Sequence, residues 1–142
     1  MANTTLLEQT TIPATQVFTM PTEQGNEAAA AAYRVIVANA LPFDMVLLGM
    51  GEDGHTASLF PGHQHDLDEL VHAVYNSPKP PPERISLSAK ALSTSSHVLF
   101  LITGAGKQAK VAEWRAGADL PVAQINPANG IDIFIDQDAF SA

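Results

Sequence analysis

The chain has 142 residues, no cysteine and a formal net charge of −8, with only 7 lysines and arginines against 15 acidic residues. That length suits one domain spanning residues 1–142, with a core that needs no disulfides, and the missing cysteines exclude thiolate catalysis and cysteine-bound zinc. The charge balance repels a nucleic-acid backbone or an anionic membrane surface, so neither is expected as a partner.

The opening MANTTLLEQTTIP has no basic segment followed by an apolar run, so no secretion signal is expected. No apolar run approaches the roughly 20 residues that span a bilayer. Together with the lack of cysteine, this makes a soluble, cytoplasmic protein the expectation. Asn3 to Gln9 reads as the tail of a helix and Gln16 to Met20 as a short extended piece. Thr22 is placed to cap a helix that Glu23 and Glu27 favour electrostatically. That helix runs through AAAAAYRVIVANA, with Ala29, Tyr33, Ile36 and Ala40 facing a sheet, and Pro42 ends it.

Phe43 to Met50, FDMVLLGM, is apolar almost throughout and reads as a strand buried on both faces. The loop after it, Gly49 to Gly62, contains GMGEDG, which fits the G-x-G-x-x-G pattern of dinucleotide-binding turns. That fingerprint requires a full helix next, whereas Pro61-Gly62 stop the chain within about two turns. Asp66, Asp68 and Glu69 lie near the spacing of a ribose-binding acid, but no apolar strand leads into them. Two other readings of the loop stand side by side. One is a tight structural turn, in which glycines permit positive φ and the histidine is a surface residue. The other makes His55 a general base: a neighbouring carboxylate, Glu52 or Asp53, fixes its tautomer, and Gly51 and Gly54 let a ligand approach the backbone.

His63-Gln64-His65, with Asp66 and Asp68 near, raises the question of a metal. A solvated loop explains it more simply, because a metal site needs ligands oriented by a second layer of hydrogen bonds. Val71 to Asn76 and Arg84 to Ser88 are expected as shorter strands joined by the stiff SPKPPPE connector, and His72 and His97 as ordinary strand positions. Arg84 opens its strand after three prolines, where a guanidinium can grip phosphate bidentately or pair with a nearby acid such as Glu83. Lys79, among the prolines, is a weaker candidate of the same kind.

His97 to Thr103 is a second buried strand, followed by a helix from Lys107 to Arg115. The turn between them, TGAGK, is not a P-loop: the glycine spacing fails and Gln108 stands where Ser or Thr would hold magnesium. It still offers backbone N–H groups and the Lys107 charge to an anion. Ile131 to Ile135 alternates and is expected as a third strand. Strands alternating with helices imply an α/β, Rossmann-like, mostly parallel sheet with flanking helices. Ligands in such sheets sit at the carboxyl ends of the strands, where the Gly49–Gly62 loop, the 103–107 turn and the proline-rich connector fall.

Three blocks in this order, FDMVLLGMGEDGHTASLFPG, SPKPPPERISLS and LFLITGAGK, resemble the 6-phosphogluconolactonase family, and LPVAQI at Leu120 to Ile125 fits its end. The resemblance runs from about Asn3 onward. It implies hydrolysis of 6-phospho-D-glucono-1,5-lactone to 6-phosphogluconate, in the oxidative pentose phosphate pathway, with no metal and no organic cofactor. It also implies an incomplete version of the glucosamine-6-phosphate deaminase-like fold. By that resemblance His55 activates the attacking water and Asp53 helps orient the site, with Gly51 and Gly54 in the substrate loop. Arg84 and Lys107 bind the 6-phosphate.

The related deaminases carry a glutamate just before the Pro-Gly of this loop. Phe60 stands there and transfers no proton, which agrees with lactone hydrolysis rather than ring opening. Family members are longer at the N-terminus, so the chain reads as a truncated gene product or one piece of a split protein. FDMVLLGM would then leave an apolar edge or face in water, and self-association or pairing with a missing N-terminal half is expected. An inactive sugar-phosphate-binding remnant is the remaining alternative.

Overall fold

The structure of the chain, a computed structural model, describes residues 2–140. The first segment forms a short helix, α1 (Ala2–Thr5), and three single 3₁₀ turns at Leu7–Gln9, Ala14–Gln16 and Thr22–Gln24. Of the extended piece expected at Gln16 to Met20, Gln16 belongs to the second of these turns, and Val17 after it is extended without joining a strand. Nor does Thr22 cap the long helix. Its own turn closes when Gly25 N donates to Thr22 O at 3.3 Å, and α2 (Asn26–Ala40) starts afresh with Gly25 as its cap.

Helix α2 buries Ala29, Ala30 and Val37, with Tyr33 beside them, while Ile36 is half-buried and Ala40 exposed. The expected stripe is thus rotated. Its cause is the partner: α2 packs on β2 (Val71–Val74) and β3 (Arg84–Leu87), which form a separate antiparallel pair instead of joining the parallel sheet. The Ser77–Glu83 connector joins these two strands, pinched shut where Ser77 N donates to Pro82 O at 2.9 Å.

The main sheet has three parallel strands in the order β1 (Phe43–Leu48), β4 (Ser95–Ile102), β5 (Ile131–Ile135). Strand β4 is central, and Val98, Phe100 and Ile102 on one of its faces are almost wholly buried. Ser88 caps the short α3 (Ala89–Ser93) by accepting from Ala91 N at 3.0 Å. Helix α4 (Gln108–Arg115) covers the inner face of the sheet, and its Trp114 meets Phe100 edge to face at 5.3 Å between centroids. A 3₁₀ turn at Pro121–Gln124 closes the core with Val122.

Strand β1 corrects one expectation. It is not buried on both faces: among the described residues it pairs only with β4, and Met45 and Leu47 are 57% and 59% exposed. An apolar groove of about 660 Å³ runs along it, walled by Tyr33 and Val37 of α2 and Ile85 of β3. No helix among the described residues is long and apolar enough to cross a membrane.

Candidate active site

Parallel pairing sends β1 and β4 in the same direction, with Leu48 beside Phe100. The loops that follow them therefore leave one edge of the sheet together. The loop after β1 folds as successive tight turns. Gly51 N donates to His55 O at 2.8 Å, and Gly54 N donates to Gly51 O at 3.1 Å. No helix follows within it, only an isolated bridge between Thr56 and Leu59. The glycine pattern thus lacks the helix N-terminus on which a pyrophosphate would rest.

At the centre of this loop His55 Nδ1 lies 2.5 Å from Asp53 Oδ1, and the same oxygen accepts the His55 backbone N–H at 3.2 Å. A carboxylate accepts only, so Nδ1 carries the proton and Nε2 is left as the acceptor. Burial pushes the Asp53 carboxyl up, but the hydrogen bonds and charge of His55 outweigh it, and the net value lies below the ordinary 3.8. The structure thereby chooses Asp53, not Glu52, as the partner of the histidine. Glu52 instead reaches across to the other loop and lies against Gly106.

Both glycines of the loop are required. A Cβ on Gly51 would overlap His55 Nδ1 and Cε1 and stand 2.8 Å from Asp53 Oδ1. Gly54 has φ +83° and its Cα faces Leu120, whose Cδ1 would lie 3.2 Å from an added Cβ. Behind the turn, Val122 N donates to Gly54 O at 3.2 Å, and buried Thr56 donates from Oγ1 to Gly49 O at 2.9 Å. Thr56 and Val122 are supports that sequence reasoning missed. Both come from contacts between segments that no local pattern announces.

His55 is only 17% exposed at its side chain, and its ring sits 4.7 Å from that of buried Phe60. An open cleft of about 420 Å³ lies in front of it, lined by Gly49, Met50, Gly51, His55, Thr56, Ala57, Lys79 and Lys107. The structure thus brings His55, Lys107 and Lys79 together. Arg84 does not line this cleft. It lies behind Phe60, 5.6 Å from the ring centroid, and donates from Nε to Pro81 O and from Nη2 to Lys79 O and Pro80 O.

The turn after β4 is built by the far end of the chain. The Asp136 carboxylate accepts Gly104 N at 3.0–3.1 Å and Ala139 N at 2.9 Å. One of the backbone donors expected for an anion is therefore already occupied. Lys107 closes the turn through its own N–H to Gly104 O at 3.1 Å.

The histidines after the loop form a separate group. His65 stacks on His72 at 4.4 Å, His63 is 6.3 Å from His65, and His72 Nδ1 meets Glu69 Oε2 at 3.1 Å. Stacked rings do not converge on a common point, and among the described residues no group of three or more His, Cys, Asp or Glu is arranged to hold a metal. Burial, and then the neighbouring His72 and His63, hold His65 below its ordinary pKa.

Residues 1–134 match the family described as glucosamine-6-phosphate isomerases/6-phosphogluconolactonase. The chain belongs to this family. It is 38% identical over 148 residues to the 6-phosphogluconolactonase of Rattus norvegicus, covering 96% of this chain and 57% of that protein. With the 6-phosphogluconolactonase of Mycobacterium tuberculosis it shares 42% identity over 132 residues, covering 83% of this chain and 53% of that one. The crystal structure of 6-phosphogluconolactonase from Thermotoga maritima superposes with a TM-score of 0.86 at 32% identity, over 94% of this chain and 62% of the other. The chain thus spans between half and two thirds of the length of these relatives. In this member the ring beside His55 is that of Phe60, and its carboxylate neighbour is Asp53.

Two outcomes follow from this geometry. A Gly51→Ala variant should stay folded but lose the Asp53–His55 contact, read by NMR as faster solvent exchange of the His55 Nδ1 proton. An unchanged Nδ1–H signal would show that the loop accommodates a Cβ. The Asp53 carboxyl, lowered in the folded state, contributes stability above 3.8, and this is lost as pH falls through the folded value. Urea unfolding from pH 7 to below 3 should therefore show an advantage of wild type over Asp53→Asn that closes only in that acid window.

Proposed function

We propose that the chain hydrolyses a phosphorylated sugar lactone, 6-phospho-D-glucono-1,5-lactone, to 6-phosphogluconate. The observation that carries the reading is the Asp53–His55 pair at the mouth of a cleft flanked by Lys107. The lactonases among its relatives support the substrate class.

In this reading His55 Nε2 takes a proton from water, and the oxygen adds to the lactone carbonyl carbon. Asp53 holds the ring and stabilises the imidazolium that forms. Collapse of the tetrahedral intermediate breaks the bond to the ring oxygen, which leaves as the 5-hydroxyl with the proton returned from His55. The new carboxylic acid then ionises in water. The reaction needs no second carboxylate, and Phe60 offers none. Lys107 is the phosphate ligand, and Arg84 supports the cationic edge from behind Phe60. Gly51 and Gly54 shape the loop against which substrate lies. No step calls on a metal or an organic cofactor, and a cysteine-free chain of this kind suits the cytoplasm.

The exposed Met45 and Leu47 on a strand with one free edge favour burial against further polypeptide, either a second copy or a separate segment extending the sheet. An inactive sugar-phosphate-binding module would share the cleft but not the turnover.

A His55→Ala variant should lose lactonase activity by roughly 100-fold or more, given the usual contribution of a general base. Activity equal to wild type would remove His55 from the mechanism. In light scattering after size exclusion the chain alone should run larger than 15.0 kDa. A stable monomer would rule out self-association.

A further inference from the structure

Seven cationic side chains serve a chain of net charge −8, and their partners divide them. Arg34, Lys90 and Lys110 pair with Glu69, Asp68 and Glu113. Arg115 lies over the Phe140 ring. Among the described residues Lys79, Arg84 and Lys107 have no carboxylate within ion-pair distance, and these three surround the His55 loop. An acidic protein that leaves three cations without a carboxylate partner in one place keeps charges there that an anion can pair with, even with Glu52 and Asp53 in the same loop.

The three are not equivalent. Lys79 and Lys107 line the cleft. The guanidinium of Arg84 is turned away into the connector, where Nη2 reaches Lys79 O at 2.7 Å and Pro80 O at 2.8 Å and Nε reaches Pro81 O at 3.0 Å. Lys79 is held from the other side as well. Ser77 Oγ donates to Lys79 O at 2.8 Å, and Lys79 N lies 3.3 Å from the same Oγ. The backbone that bears Lys79 is therefore fixed at both its N–H and its carbonyl, although its side chain is exposed.

We propose that Lys79 is a second ligand of the substrate's phosphate, sharing the dianion with Lys107, and that Arg84 is a positioning residue acting through Lys79. This rests on the phosphorylated substrate proposed above. Two ammonium groups from separate loops suit a phosphate as point charges, while the rigid fork of arginine suits carbonyl oxygens arrayed along a turn. The assignment deepens the part given to Arg84: its charge raises the local potential, but its donors organise the connector.

The test is a double-mutant cycle on the full chain, with 6-phosphogluconate as the titrated probe and calorimetry as the readout. Lys79→Ala should weaken binding by roughly tenfold or more, as expected for loss of a charged hydrogen bond. Arg84→Gln should weaken it comparably and add little in the Lys79→Ala background, because it acts through that lysine. Hydrogen exchange at Ser77 and Lys79 should quicken in Arg84→Gln, with the core unchanged. Additive losses would make Arg84 a direct ligand and overturn its positioning role. Wild-type affinity in Lys79→Ala, or no binding by wild type, would overturn the site. Binding that depends on Lys79 without lactone turnover would sink the lactonase reading and leave this one standing. Turnover that is indifferent to Lys79 would do the reverse.

Discussion

The parallel register between β1 and β4 is the constraint on which the rest of the structure depends. Phe43 stands beside Ser95 and Leu48 beside Phe100, so both strands end at one edge. The histidine loop and the lysine turn then have nowhere to go but toward each other. A one-residue slip of β4 would turn Val98 and Phe100 out of the core, and one of β1 would turn out Val46, so the buried faces enforce the alignment. Functional geometry is here a by-product of hydrophobic packing. Glu52 against Gly106 adds a direct contact between the loops.

Within that frame each side chain of the site is placed by something small. Gly51 is absent bulk: the Asp53–His55 contact occupies the space where its Cβ would be. Phe60 gives His55 an apolar wall on one side and Arg84 a face on the other. A ring in that position keeps water from one flank of the histidine while leaving the cleft side open. Asp136 supplies the negative charge that ends the β4 turn, which leaves Lys107, and not the Gly104 amide, as the group available to an anion.

The sequence made the strands legible where their chemistry is local. FDMVLLGM, HVLFLIT and IDIFI are apolar runs bounded by turn residues, and all three are strands of one parallel sheet. The Asp-Gly-His turn was equally open to reading, because a carboxylate two residues before an imidazole reaches it without help from the fold. What stayed hidden depends on who the neighbours are. Periodicity gave α2 an apolar face but not the sheet it meets, so the stripe expected through Ile36 and Ala40 is rotated toward Ala30 and Val37. Composition made β1 fully buried, yet exposure is set by the strand beside it, and it has one such strand. Lys79 was hard to distinguish from any surface lysine because its placement is made by carbonyls of the prolines and by Arg84, five residues on.

The bond from Gly104 N to Asp136 also bears on how the chain acquires its site in time. The β2–β3 hairpin closes over a short connector, whereas β1 must find β4 across more than a third of the sequence, and contacts of that separation form slowly. The Lys107 turn is completed later along the chain, since its Asp136 cap lies 32 residues after Gly104. During synthesis the histidine loop emerges well before the Asp136 carboxylate that completes the opposite wall, so the cleft is finished only after that residue is free to fold back onto Gly104. By then Met45 and Leu47 of β1 have long been made, and they stay exposed even in the finished fold. The order of synthesis therefore places an exposed apolar surface ahead of the finished cleft.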